Sequence, residues 1–138
     1  MFRKLDDSIS VSEQITPEDV KAAAAQGFKM IINNRPDEEQ PGQPTGAEIK
    51  EAARAAGLDY VAIPITHAGY SVPQVDAMRD ALAKAQGPVL AFCRSGTRST
   101  FVWALAQGAN GEDPDTLAMK AADAGYDISP VRAFLAPR

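Results

Sequence analysis

The sequence predicts an α/β domain, a mainly parallel sheet of four to five strands flanked by helices. Three observations carry that expectation. Short apolar runs alternate along the chain with longer segments that open on a capping residue and close at glycine. Residues 28–33 show little alternation at their end, as in a strand covered on both faces. No internal repeat, low-complexity tract or linker breaks the pattern, so residues 1–138 are expected to form one domain.

Residues 8–12, Ser8-Ile9-Ser10-Val11-Ser12, alternate polar and apolar like a half-buried edge strand. Thr16 then caps a helix, with Pro17 at its first position, Glu18 and Asp19 at the positive end of its dipole, and Gly27 beyond its end. Strand 28–33 feeds a polar loop, 34–44, that holds three prolines and is too long for a simple connector, hence a candidate cover for a site. Thr45 and Glu48 form a capping box for an Ala-rich helix running to Ala56 and closed by Gly57. A strand over 60–65 leads into the loop Thr66-His67-Ala68-Gly69-Tyr70. Ser71 and Gln74 box the next helix, which runs to about Gln86 before Gly87-Pro88. A strand over 89–92, a helix over 100–107 and a helix from Asp113-Pro114 to Gly125 complete the order β-α-β-α-β-α-β-α-α, and a last short helix begins at Pro130. Right-handed crossovers then place the loops after three strands, at Cys93, at 33–37 and at 66–69, on one rim of the sheet.

The chemistry gathers at Val89-Leu90-Ala91-Phe92-Cys93-Arg94-Ser95-Gly96-Thr97-Arg98-Ser99, where an apolar run ends on the single cysteine and passes into a helical pattern. Successive backbone N–H groups and a helix N-terminus make such a loop attractive to an anion. Arg94 and Arg98 add fixed cations, Gly96 permits a tight fold, and Ser95 and Thr97 lie within the cradle. The hydroxyl of Ser99 is expected to hydrogen-bond the sulfur. All of these favour thiolate, the nucleophilic form, over thiol. Against this stands the plain reading of Cys93 as a small buried hydrophobe and of the arginines as solvated charges.

The rest of the composition narrows the ligand. A net charge of −4 over 138 residues argues against a nucleic-acid surface and for a small anion held locally. One cysteine and one histidine offer neither an internal disulfide nor a soft-ligand cluster, so no metal and no cofactor is expected. The charged N-terminus has no apolar stretch behind it and no run is long enough to span a bilayer. The expectation is a cytoplasmic protein.

The segment from Cys93 to Ser99 resembles the active loops of two enzyme classes, cysteine-dependent phosphatases and rhodanese-type sulfurtransferases. Together with residues 11–17 and Ile31-Ile32-Asn33-Asn34-Arg35-Pro36-Asp37, it resembles the phosphatase-like domain family of the β-lactamase-hydrolase-like proteins. That resemblance implies a fold like the dual-specificity phosphatases. It also implies either chemistry, and a persulfide dioxygenase or other sulfur-metabolism enzyme as a partner.

Two departures favour sulfur at this point. Such phosphatases place arginine sixth after cysteine, where this chain has Ser99; Arg98 is fifth, matching the rhodanese pattern Cys-Arg-x-Gly-x-Arg. Their usual aspartate acid would fall at 65–69, which here reads Ile-Thr-His-Ala-Gly, and the next acid, Asp76, lies inside a predicted helix. The leading expectation is therefore a sulfurtransferase that forms a Cys93 persulfide from thiosulfate or a small persulfide and passes the sulfur to a thiol or cyanide. The alternative is a phosphatase with a Cys93 phosphate intermediate and His67 or Asp37 as acid. The third is an anion-binding module without turnover. His67, Asp37 and Arg35 can equally be rim or loop-holding residues, as can Asn33 and Asn34, and Phe101 and Trp103 read as core.

Overall fold

Alternate residues of the central strands part to opposite faces, and this divides the core in two. The computed structural model describes residues 2–137. Its strands are β1 (Arg3–Asp6), β2 (Ile9–Ser12), β3 (Met30–Asn33), β4 (Asp59–Ala62) and β5 (Val89–Phe92), in the spatial order β1-β2-β5-β3-β4. β1 runs antiparallel to β2, and every other pairing is parallel. The helices are α1 (Pro17–Ala25), α2 (Gly46–Ala55), α3 (Val72–Lys84), α4 (Thr97–Ala109) and α5 (Pro114–Asp123), followed by a 3-10 turn, Ser129–Phe134.

Ile31, Leu90 and Phe92 pack with Val20 and Ala23 of α1 and with Ile49 and Ala53 of α2. Their sequence neighbours Met30, Ile32, Val89 and Ala91 join Met78 of α3, Val102 and Trp103 of α4 and Leu117 of α5. Each large side chain so buried contributes roughly 1.5–3 kcal/mol. β5 and β3 are central and entirely buried, so their apolar runs need no polar face.

The helix starts follow their local signals. Thr16 and Asp19, Thr45 and Glu48, and Ser71 and Gln74 all close capping boxes, and Asp113 accepts from the Thr116 N–H to open α5. Register then lines up the strand ends: Ser12 pairs with Phe92, Phe92 with Asn33, and Asn33 with Ala62. The loops after β5, β3 and β4 thus leave from one rim, the place where parallel sheets bind ligands.

Three expectations need correction. β2 is an interior strand, buried throughout, because β1, which the sequence reading passed over, covers its outer edge. Ser10 and Ser12 are small enough to be buried there. The strand over 60–65 stops at Ala62: Pro64 has no N–H to give, although Ile63 and Ile65 still donate to the carbonyls of Asn33 and Asn34 at 2.9 Å. The helix expected from residue 100 begins at Thr97, which leaves Thr97, Arg98 and Ser99 in its first turn. Among the described residues, no helix is long and apolar enough to cross a membrane.

The position of β2 is testable. Ser10→Lys forces an ammonium onto the buried sheet face that Ser10 shares with Leu90 and is expected to cost at least ~2 kcal/mol in urea denaturation. A change within ~0.5 kcal/mol would return β2 to an exposed edge.

Candidate active site

Cys93 follows the last residue of β5 and is fully buried. Only Arg94, Ser95 and Gly96 separate it from α4. Gly96 sits at the N-cap of that helix with φ +92°, the left-handed region, and donates its N–H to Cys93 Sγ at 3.1 Å. A Cβ at this position would fall on the hydroxyl of Tyr126, so both the backbone angle and the available space require glycine. The Tyr126 hydroxyl donates to the Ser95 carbonyl at 2.9 Å and holds the loop from the side of α5. Burial foremost, with the charge of Cys93 also contributing, raises the Tyr126 pKa against the opposing pull of Arg3.

Because α4 starts at Thr97, the N–H groups of its first turn have no carbonyl four residues earlier in the helix to bind. The Gly96 N–H just before them meets the sulfur, the Thr97 N–H donates to Ser95 Oγ at 3.4 Å, and the positive end of the buried helix follows Cys93 by three residues. Ser95 and Thr97 are tied to each other, Oγ to Oγ1 at 3.0 Å. Thr100 returns its hydroxyl to the Gly96 carbonyl at 2.8 Å. The cradle is therefore braced by its own short side chains.

Arg98 is gripped on one edge. Its Nη1 and Nη2 donate to the two carboxylate oxygens of Glu39 at 2.7 and 2.8 Å, and Nη1 also reaches the Ile65 carbonyl at 2.8 Å. The hydrogen bonds to Glu39 foremost, and after them the charge of Cys93, raise the Arg98 pKa against the opposing effect of burial. Glu39 is shared. Arg35 Nε donates to it at 2.9 Å while Arg35 Nη1 and Nη2 go to Gln14 and Gln40. The hydrogen bonds from Arg98, then those from Arg35, hold the Glu39 pKa down to about 2 against the opposing effect of burial. Glu38 has φ +64°, unusual for a residue with a side chain, and this turn aims Glu39 inward.

The predicted site residues separate into several groups. Cys93, Gly96 and Arg98 meet. Arg94 is exposed, with only its carbonyl engaged, by the Gln14 N–H at 3.3 Å. Ser99 is buried, but its hydroxyl donates to Asn34 Oδ1 at 2.8 Å rather than to the sulfur, and Asn34 Nδ2 in turn donates to the Ile63 carbonyl at 2.9 Å. Ser99 thus ties α4 to the loop after β3, a correction to its expected contact with Cys93. Arg35 is buried with all three side-chain nitrogens satisfied by protein groups, so it is an internal cation and not a rim residue.

Asp37 accepts from the Gly46 N–H at 2.7 Å and lies beside Tyr60, in the cluster that opens α2. His67 is exposed in the Thr66–Gly69 turn, two residues beyond the carbonyl that holds Arg98. Glu39, Tyr70 and Tyr126 were missed by sequence reasoning. Burial, then the charge of Cys93, pushes the Tyr70 pKa up to about 12, with Arg98 pulling the other way. Tyr70 is thus coupled electrostatically to both Cys93 and Arg98.

A parallel sheet whose central strand delivers a cysteine to the N-terminus of a buried helix, with an arginine in the first turn, defines a cysteine-phosphatase-like fold. The chain belongs to the family of phosphatase-like domains of beta-lactamase hydrolase-like proteins, whose sequence profile matches residues 1–110. It is 38% identical over 108 residues to the beta-lactamase hydrolase-like protein of Agrobacterium fabrum, covering 78% of this chain and 25% of that relative. This chain thus corresponds to a quarter of the relative's length. A Neisseria meningitidis crystal structure, named as a phosphatase candidate, superposes with a TM-score of 0.84 at 35% identity, covering 96% of this chain and 94% of the other. Kinase associated phosphatase, crystallised with its catalytic site cysteine replaced by serine, shares the fold at a TM-score of 0.71 and 14% identity, covering 90% and 82% of the two chains. These likenesses back the phosphatase alternative better than the sulfur transfer expected first.

The shared carboxylate has a pH signature. Its folded pKa lies below the ordinary 4.5, so its stabilisation is complete above pH 4.5 and drains away as pH falls toward 2. Glu39→Gln is expected to cost roughly 1–3 kcal/mol at pH 7 by leaving guanidinium donors poorly matched. It should also flatten the acid limb of stability between those pH values. Superimposable acid limbs for the two proteins would contradict the assignment.

Proposed function

We propose that this chain is a cysteine-dependent phosphatase acting on phosphate monoesters. The observation that carries the reading is the placement of Arg98: it stands in the first turn of the helix whose N-cap, Gly96, donates to Cys93 Sγ, and Glu39 anchors one edge of its guanidinium. An anion seated over the sulfur would meet this arginine and the first-turn N–H groups of α4 together. Preorganised donors of that kind stabilise charge without reorganising at the moment of reaction. The family membership and the likeness to the Neisseria protein support the same reading.

In the first step Cys93 attacks phosphorus as the thiolate. The S–P bond forms as the P–O ester bond breaks, and the leaving oxygen takes the bond pair. His67, on the loop that also supplies the Ile65 carbonyl to Arg98, is the proposed donor of the proton that oxygen needs. In the second step water attacks phosphorus and returns a proton to His67; the O–P bond forms as the S–P bond breaks, phosphate departs, and the sulfur recovers its electron pair as thiolate. Arg98 and the helix N-terminus hold the non-bridging oxygens through both steps.

A second reading keeps one specific support. The Cys–Arg interval is one residue shorter than in phosphatases of this type, and Asp37 is committed to Gly46. A Cys93 thiolate could attack the outer sulfur of thiosulfate and release sulfite with the electrons of the broken S–S bond, a step that needs no acid.

Turnover separates the readings. Wild type is expected to release phosphate from an alkyl phosphate, Cys93→Ser to fall to background, and Arg98→Lys to lose roughly 100-fold or more in kcat/KM. Thiocyanate from thiosulfate and cyanide, with no phosphate released, would replace this reading by sulfur transfer. A rise in melting temperature with phosphate and no turnover would leave only an anion-binding module.

A further inference from the structure

The first turn of α4 has a continuation. Positions three, seven and eleven residues beyond Arg98 on a helix share its face, and they are Phe101, Leu105 and Ala109. All three line a groove of about 600 Å³ whose other walls include Val72 and Val75 of α3 and Phe134 of the 3-10 turn. The rise from Phe101 to Ala109 is about 12 Å. The volume falls within the ordinary range for small-molecule sites.

At the near end of the groove stands Tyr70, which packs on Phe101 with ring centroids 6.2 Å apart. The same tyrosine feels the charges of both Cys93 and Arg98. The groove therefore begins one helical turn beyond Arg98, at the Phe101 against which Tyr70 packs. Among the described residues no charged side chain lines it, and the hydroxyl of Ser71 is engaged in capping α3. Such walls, with the Tyr70 hydroxyl at one end and apolar side chains along most of their length, suit a hydrocarbon chain better than a sugar or a peptide backbone. Val72 is 58% exposed and Phe134 71%, two of the three large exposed hydrophobics among the described residues, and both border this groove. Exposed apolar side chains gathered around a concave surface mark a binding site.

We propose that the ester taken by this site carries an apolar alkyl or acyl chain, with its phosphate on the Cys93 cradle and its chain along the groove between α3, α4 and the 3-10 turn. This rests on the phosphatase reading and names its substrate class. Phe101 and Leu105 form the wall along which the chain lies, and Tyr70 separates the polar head from the apolar body.

The test uses ethyl, butyl and hexyl phosphate, each below its aggregation concentration. Turnover by wild type and calorimetric binding to Cys93→Ser are measured in parallel. kcat/KM and affinity are both expected to rise by roughly threefold per added methylene. In a Val72→Asp, Phe134→Asp variant the hexyl-to-ethyl ratio should collapse toward one. Both positions are exposed, and an unchanged melting temperature would verify folding.

Turnover that is indifferent to chain length would overturn the groove assignment while leaving the phosphatase reading intact. Chain-length-dependent binding, lost in the double variant, without any turnover would keep the groove as the seat of the chain and remove the phosphatase reading. Chain-length-independent binding, with self-association that the double variant abolishes, would make the groove an interface between two copies and overturn the proposal.

Discussion

One carboxylate, that of Glu39, is shared by two guanidiniums that the fold has taken largely out of water, leaving a single net positive charge. Arg35 is buried and Arg98 partly so, and without a shared anion the rim after β3 and β5 would concentrate positive charge in a poorly solvated place. With it, the 35–44 loop is drawn onto the first turn of α4 and Arg98 is fixed in orientation. The anion site proposed over Cys93 depends on that fixing, because an arginine free to sample its rotamers would lose part of its binding energy in becoming ordered.

The sheet supplies the rest of the geometry. Register places Ser12, Phe92, Asn33 and Ala62 in one row, so the loops that carry Cys93, Glu39 and Ile65 leave from the same rim. α4 is packed into the larger core through Val102, Trp103, Ala104 and Ala106. Its N-terminus therefore cannot retreat from the cysteine without opening that core. Chemistry at the loop and the apolar groove farther along are two ends of one rigid helix.

Much of this architecture was legible in the chain. Thr16, Thr45 and Ser71 cap helices through contacts within three residues, and such local signals survive folding unaltered. The misreadings came from longer-range causes. Alternation over 8–12 reports polarity and not depth, so it could not reveal that a strand holding Arg3 and Asp6 would cover β2. Gly96 is a left-handed N-cap without a capping side chain, and the polar residues after it concealed the true start of α4. Nothing in Asp37-Glu38-Glu39 distinguishes the acid that turns inward; the choice is made by the positive φ of Glu38, which a residue other than glycine does not announce. Tyr70 and Tyr126 reach the site from distant segments, beyond any motif.

The most direct measurement is the mass of the Cys93 adduct after rapid denaturing quench during turnover, with thiosulfate as the parallel donor. The account predicts an added phosphoryl group on Cys93 from an alkyl phosphate. An added sulfur atom from thiosulfate, with no phosphoryl adduct under any quench time, would contradict it.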